Sequence, residues 1–321
     1  MKKTTLLAIT ALGTLPLAAP VAHAQDYPTR PIRLVLPFAP GGSTDGLARI
    51  LAPRMGEALG QTIVIDNRPG AGGNVSAQIV AQATPDGYTL LVASAMLTTN
   101  KSLYSKLAYD PETDFAPITH LGGGPYVLIA HPSLGVTDLR SILALAKQKP
   151  LNYASSGVGG ASHLASELLK MRAGIEMAHV PYRGGGPASL AVLSGETPLM
   201  FGTIASSIGH IRAGRIKALA LSGLERTDLL PGVPTVDESG VKGFDVTTWD
   251  GLVAPGATSA AVLARLNAET VKVLRTPAVQ EAIRKIGYEP TGTTRESFTA
   301  FLRAETAKWG KVIRAANIRA N

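Results

Sequence analysis

Short apolar runs alternate with stretches of helical period along almost the whole chain. Strand-like runs fall at 32–36, 62–66, 89–93, 126–130, 152–154, 177–180, 198–201 and 217–221. Helical spacing marks 47–59, 74–82, 139–147, 164–172, 187–194, 259–274, 277–286 and 295–315. This alternation predicts an α/β fold of layered strand–helix units. Pro53 lies inside the first helical stretch and is expected to kink or split it, because proline lacks the N–H and crowds the preceding turn. Breaks are expected near Leu121-Gly122-Gly123-Gly124-Pro125 and around Leu230-Pro231-Gly232-Val233-Pro234. If the C-terminal helices pack back on the N-terminal half, residues 25–122 and 232–321 form one lobe and 123–231 an inserted second. Two connections between lobes suit hinge closure around a ligand.

Two of the strand-to-helix junctions are rich in glycine. The first reads Pro37-Phe38-Ala39-Pro40-Gly41-Gly42-Ser43-Thr44-Asp45, the second Ser155-Ser156-Gly157-Val158-Gly159-Gly160-Ala161-Ser162-His163. Glycine admits close backbone approach, and the free N–H groups of a helix's first turn attract anions. Facing each other, the two would clamp one small anion. Ser43 and Thr44 alone are ordinary helix caps, but a cap needs no glycine pair. A nucleotide loop is excluded, since no Gly-Lys-Ser/Thr follows and the dinucleotide spacing is absent. Tyr182-Arg183-Gly184-Gly185-Gly186-Pro187-Ala188 again places bare backbone at a strand end. Tyr182 is compatible with facing the cleft or packing beneath it, and Trp249 with the core or a pocket floor.

The N-terminus says where such a clamp works. Lys2 and Lys3 precede an apolar run from Leu6 to Leu17, and Ala22-His23-Ala24 supplies the small residues a signal peptidase needs. Residues 1–24 therefore read as a secretory leader cleaved after Ala24. The competing reading, a membrane anchor, needs an apolar run of about 20 residues. What remains is long enough for two lobes. With no cysteine, disulfides, thiol catalysis and thiolate metal sites are all excluded. The histidines His120, His131, His163, His179 and His210 show no ligand spacing, so no metal is expected. The net charge of +8 becomes +6 once Lys2 and Lys3 leave. The basic residues of the chain are scattered rather than gathered in a run, and aromatics are only 5% of the chain. Nucleic acid is therefore not an expected partner. Serine beside histidine invites a hydrolase reading, yet no Gly-x-Ser-x-Gly elbow is present. His163 opens a helix, where the dipole disfavours its charged form; capping or packing comes before ligand contact.

In order, these motifs resemble the extracytoplasmic solute receptors of tripartite tricarboxylate transporters, the Bug receptors. The resemblance runs through Tyr27-Pro28-Thr29-Arg30-Pro31-Ile32, the first glycine loop, and Val64-Ile65-Asp66-Asn67-Arg68-Pro69-Gly70-Ala71-Gly72-Gly73-Asn74. It continues in Pro85-Asp86-Gly87-Tyr88-Thr89-Leu90, Tyr109-Asp110-Pro111, Gly157-Val158-Gly159 with His163-Leu164, Val180-Pro181-Tyr182-Arg183-Gly184 and Trp249-Asp250-Gly251-Leu252-Val253-Ala254-Pro255. It implies a monomeric, cofactor-free periplasmic binding protein of two lobes, type II-like, each a mixed sheet flanked by helices. The implied role is to close on a small organic carboxylate and deliver it to membrane transporter subunits. In the family, loops like these hold a ligand carboxylate through backbone N–H groups, hydroxyls and bridging waters. Carried over, the implied contacts are Phe38, Gly41, Gly42, Ser43, Thr44 and Asp45, then Ser94, Ser155, Gly157, Gly160, His163 and Tyr182, and finally Gly202 and Thr203.

Three positions depart from the family pattern. Leu97 stands where relatives often carry histidine, Gly202 where many carry aspartate, and Gly160 where many carry serine or threonine. Each removes a polar group from the expected pocket. An amino-acid ligand needs a carboxylate partner for its ammonium group. The expectation is therefore a ligand without an amino group, bulkier and more apolar than aspartate or glutamate, such as an aromatic or aliphatic mono- or dicarboxylate. Two other classes compete with a transport receptor: a sensor subunit for a membrane kinase, and an exported hydrolase using Ser155 or Ser162 with His163.

Overall fold

Strand β1 (Ile32–Leu36) buries four of its five side chains, as a strand covered on both faces must. It lies between β2 (Ile63–Asn67) and β3 (Thr89–Ala93), parallel to both. The computed structural model describes residues 27–315 and 317–320; the expected leader lies outside them. The remaining strands are β4 (Phe115–Ala130), β5 (Leu151–Ser155), β6 (Met177–Pro181), β7 (Leu199–Thr203), β8 (Lys217–Leu221), β9 (Thr247–Pro255) and β10 (Glu289–Pro290). The helices are α1 (Ser43–Leu59), α2 (Asn74–Ala81), α3 (Ala95–Leu103), α4 (Leu139–Gln148), α5 (Ala161–Ala173), α6 (Gly185–Ser194), α7 (Ile204–Arg212), α8 (Ala260–Leu274), α9 (Pro277–Lys285) and α10 (Arg295–Ala315).

The strand order is β2-β1-β3-β9-β4-β7-β5-β6, with β10 and β8 also paired to β4. Strands β5, β6 and β7 run parallel, while β4 and β9 run antiparallel to their neighbours. Each lobe is thus a mixed sheet. In the first, α1, α8 and α9 cover one face through Leu47, Leu51, Met55, Leu266 and Ile283. The other face is covered by Ala77, Val80, Met96 and Phe298 from α2, α3 and α10. In the second lobe, Leu128, Tyr153, Leu164 and Phe201 form one layer, and Val127, Ile129, Val192 and Ile204 the other. Burying each such aliphatic or aromatic side chain contributes about 1.5–3 kcal/mol.

The structure answers three expectations. Helix α1 continues through Pro53 instead of splitting. Both Pro53 and Arg49, whose carbonyl loses its donor, face solvent, so water can satisfy that carbonyl. The Gly122–Gly124 run is not a loop, although the passage between lobes falls at Pro125, within the expected segment. Strand β4 passes straight through it, pairing with β9 up to Pro125 and with β7 and β8 from Tyr126 onward. The glycines answer to crowding: a Cβ at Gly123 would strike the Thr248 carbonyl, and one at Gly124 the Gly287 carbonyl. Finally, Val236, Val241, Phe244 and Val246 belong to the same cluster as Leu128 and Phe201. With the Val236 N–H donating to the Leu221 carbonyl and the Val246 N–H to the Ser222 carbonyl, the inserted segment runs to Val246, beyond the expected boundary at 231/232. The return crossing is the start of β9, where Thr247 is the register partner of Pro125.

Candidate ligand-binding site

Five helices begin around one cavity between the lobes. They are α1, α3, α5, α6 and α7, each entered from the C-terminal end of a strand. The cavity is tight, about 30 Å³. Its wall carries Phe38, Gly42, Ser43, Thr44, Ser94 and Ala95 from the first lobe, and Ser156, Gly160, Ala161, Ser162, Gly185 and Thr203 from the second. Tyr126, Met200, Phe201 and Thr248 complete it. No charged side chain is among them. At the N-caps Gly42, Ser94, Gly160 and Gly184, no side chain bonds the first-turn N–H groups. Only α7 is capped in the ordinary way, by the Thr203 hydroxyl on the Ser206 N–H. The hydroxyl oxygen of Ser94 is buried with no hydrogen-bond partner among the described residues. Four uncapped helix starts aimed at an uncharged cavity make a site for an anion. Across its rim the lobes touch: Ala39 N–H donates to the Arg183 carbonyl at 2.9 Å, and the Thr99 hydroxyl to the Gly159 carbonyl at 3.1 Å.

The candidate residues divide between wall and support. Phe38, Gly42, Ser43, Thr44, Ser94, Gly160 and Thr203 line the cavity. The other seven candidates are not on its wall. Gly41, at φ +94°, donates its N–H to Asp45 Oδ2 at 3.2 Å. Asp45 also accepts from Arg49 Nε at 2.9 Å and Asn67 Nδ2 at 3.3 Å. Burial pushes its pKa up, but these hydrogen bonds outweigh it and hold the carboxyl below the usual range. Asp45 is thus an ionised brace for the first loop. In the second loop, fully buried Ser155 accepts from the Gly157 N–H at 3.1 Å and meets His179 Nε2 at 2.5 Å. Gly157 sits at φ +135° with its α-carbon facing Gly72 and the Tyr182 carbonyl. His163 Nδ1 accepts from the Gly159 N–H at 3.1 Å, and its ring stacks on His179 at 3.9 Å. Burial pushes His163 down to about 4 and His179 to about 3, so both are neutral. The Tyr182 hydroxyl turns outward to Glu196 and Thr197.

Two of the family departures do not change the cavity. A Cβ at Gly202 would point at Ser207 and Ile129, on the face of β7 opposite Phe201 and Thr203. Leu97 packs in the cluster with Val35 and Phe115. Gly160 does line the wall. The wall residues that sequence reasoning missed fall in two groups. Ser156, Ala161, Ser162 and Gly185 were legible in glycine loops already singled out. Ala95, Tyr126, Met200, Phe201 and Thr248 arrive from elements whose turn toward the cavity carries no local signal. A hydrolase is not assembled: the Ser162 hydroxyl bonds Ser156, and Ser155 is off the wall. Among the described residues no three His, Cys, Asp or Glu side chains gather as metal ligands.

Behind the first loop lies a second polar layer. Asp250, on β9, is fully buried. Its Oδ1 accepts from the Thr44 hydroxyl at 2.9 Å, and its Oδ2 lies 2.8 Å from Tyr288 Oη. Tyr288 Oη is also 2.8 Å from Ser43 Oγ and 3.1 Å from Thr248 Oγ1. Burial pushes Asp250 up to about 7, against the opposing pull of the Thr44 and Tyr288 hydrogen bonds.

Comparison with known proteins places this geometry. The family model described as "Tripartite tricarboxylate transporter family receptor" matches residues 47–318. The structure of the periplasmic binding protein BugD superposes with a TM-score of 0.88 at 34% identity, covering 92% of this chain and all of the other. The R. palustris protein Rpa4515, solved with adipate, gives 0.88 at 36% identity over 92% and 99% of the two chains. MatC from Rhodopseudomonas palustris, solved with bound malate, gives 0.84 at 33% identity over 89% and 100%. These neighbours are substrate-binding proteins rather than enzymes, and among the described residues no helix is long and apolar enough to cross a membrane. The chain belongs to the tripartite tricarboxylate transporter receptor family, a family of periplasmic solute-binding proteins with the two-lobe fold.

Proposed function

We propose that this protein captures a small organic carboxylate in the cavity between its lobes and delivers it to the membrane subunits of a tripartite transporter. The observation that carries this reading is the convergence of four uncapped helix N-termini on a wall without charged side chains. Neutral donors hold an anion by oriented dipoles, and the fixed N–H groups need little reorganisation as it arrives. The wall residues of both glycine loops, with Ser94 and Thr203, are the ligand contacts in this reading. Asp45, Ser155, Gly157 and His163 hold those loops in shape. The lobes hinge where β4 and β9 cross together, at Pro125 and Thr247. The working form is a monomer, released into the periplasm by cleavage after Ala24.

The ligand has no amino group. An ammonium ion would enter a cavity with no carboxylate on its wall: Asp45 is already tied to Arg49, and Asp250 reaches the wall only through Thr44 and Tyr288. Phe38, Ala95, Tyr126, Met200 and Phe201 favour an aliphatic or aromatic body over a compact polar one. The acids bound by the two R. palustris neighbours support the same class. A thermal-shift screen of aliphatic and aromatic acids against amino acids tests the reading. Expected is a rise in melting temperature with the acids, equivalent to about 2.7 kcal/mol at a hundredfold excess over Kd. A clear preference for aspartate, glutamate or another zwitterion would overturn the ligand class, and no response to any acid would overturn the receptor.

A further inference from the structure

Tyr288 stands between a buried acid and a cavity hydroxyl, and it has one proton to give. Its oxygen is 2.8 Å from both Asp250 Oδ2 and Ser43 Oγ, with Thr248 at 3.1 Å. A phenol donates once and accepts at its lone pairs. If Asp250 is ionised, both of its oxygens are acceptors, so Tyr288 must donate to Oδ2. Ser43 then donates its own proton backward to Tyr288, since otherwise two acceptors would face each other at 2.8 Å. The cavity sees only the lone pairs of Ser43. If Asp250 carries a proton on Oδ2, that proton goes to Tyr288, the phenol donates to Ser43, and the Ser43 hydroxyl is free to donate into the cavity. Thr248 can donate to the remaining lone pair of Tyr288 in either case.

We infer that Asp250 takes up one proton from solvent when a carboxylate enters the cavity, because its protonation reverses the Asp250–Tyr288–Ser43 chain and makes Ser43 a donor to the anion. The inference rests on the carboxylate-receptor reading above. Charge favours it as well as hydrogen bonding. Asp250 reaches the cavity wall through Thr44 directly and through Tyr288, and an ionised acid there repels an incoming anion. The groups facing Asp250 are Thr44 from α1, Tyr288 from the segment before β10 and Tyr126 from β4, while Thr248 of its own strand meets Tyr288. No basic side chain among them offsets its charge. Asp45 and Arg49, also on α1, are paired with each other, and the His120 ring of β4 packs on Phe301 of α10. With burial holding the carboxyl near 7 before ligand arrives, the proton is exchangeable in the neutral range.

The test is calorimetric titration of adipate, malate and benzoate in buffers of different ionisation heat. Expected is uptake of about one proton per ligand at about pH 8 and, for benzoate, which is already ionised there, close to none at about pH 5.5, with Kd weakening by up to about tenfold per pH unit above 7. Asp250→Asn presents an N–H toward Tyr288 at every pH, so it should lose both the proton uptake and the pH dependence. Tyr288→Phe keeps the acid but cuts the chain, and should weaken binding with little linked uptake. In unliganded protein, carbon-13 detection of the Asp250 carboxyl gives a readout that needs no ligand. Titration in the ordinary carboxylate range would overturn the proposal, as would binding with no proton uptake at about pH 8. Heat from none of the three acids would overturn the receptor reading and the coupling together.

Discussion

The two glycine loops face one cavity but are held by opposite chemistry. The first is braced by charge: Asp45, kept ionised, gathers the Gly41 N–H, Arg49 and Asn67. The second is braced by neutral groups: Ser155 and the stacked pair His163 and His179 hold the Gly157 and Gly159 N–H groups. Their backbones differ too. Gly42 sits at φ −90°, open to any residue, whereas Gly157 at +135° is not. A similar anion-facing edge is therefore reached by two routes, and each route fails under different conditions.

Blocking the backbone should break the comparison most sharply. Gly42→Val should fold and lose carboxylate binding, since its Cβ would lie at ordinary contact distance, 3.8 Å, from the Gly185 and Gly186 nitrogens and its bulk would block approach to the backbone. Gly157→Val should lose binding and also about 1–3 kcal/mol of stability to backbone strain. Melting curves and calorimetry on both separate the two effects; equal stability loss would mean the loops do not differ as described. Removing one brace comes next. Ser155→Ala leaves the Gly157 N–H unpaired at a cost of about 1–3 kcal/mol, and should weaken binding about tenfold. Asp45→Asn keeps a polar group there and should cost less, because Arg49 is largely solvated.

Acid should sharpen the contrast with a smaller effect. The folded-state pKa values of His163 and His179 lie below the ordinary histidine value, so the unfolded chain binds protons first as pH falls. Their contribution is complete above about 6.5 and is lost as pH drops toward 4. Asp45 is also depressed, but from a carboxylate value, so the first loop holds to lower pH. Amide exchange between about pH 6.5 and 4.5, corrected for intrinsic rates, should show protection of Gly157 and Gly159 falling by about tenfold while Gly41 stays constant. Loss at Gly41 first would reverse the assignment. Smallest of all, Tyr182→Phe removes a hydroxyl that turns outward, and should shift stability by under about 1 kcal/mol with Kd within about twofold. A large loss of affinity would place Tyr182 in the site after all.

What the chain revealed in advance follows the range of the forces involved. Runs such as Ile32–Leu36 and Lys217–Leu221 were legible because burial on both faces leaves short unbroken apolar stretches, Leu34–Leu36 and Ala218–Leu221. The starts of α1 and α5 lie ahead of their first leucines, since Ser43-Thr44-Asp45 and Ala161-Ser162-His163 are helical without being periodic. Helices α3 and α7 escaped notice: Thr98-Thr99-Asn100 and Ser206-Ser207 with Gly209 are weak helix formers that packing overrides. The first half of β4 and all of β9 were hidden by prolines and by glycines that answer to crowding rather than turning. The loops of the site were visible because their glycines are local. The layer beneath was not: Thr44 meets Asp250 across 206 positions, and Tyr288 meets Ser43 across 245.

The crossing of β4 and β9 has a mechanical consequence. Because Pro125 and Thr247 are neighbours in one antiparallel ladder, the lobes are joined by a single two-stranded ribbon, not by two separate tethers. Separate tethers would let one body slide and roll against the other. A ribbon resists shear through its cross-links and gives way chiefly by flexing and twisting about its own length. In the proposed hinge motion, opening would thereby be confined to nearly one coordinate, and every helix start on the moving side would return to the same place each time the lobes closed. A receptor that grips with dipoles needs that repeatability, since a misaligned N–H attracts little.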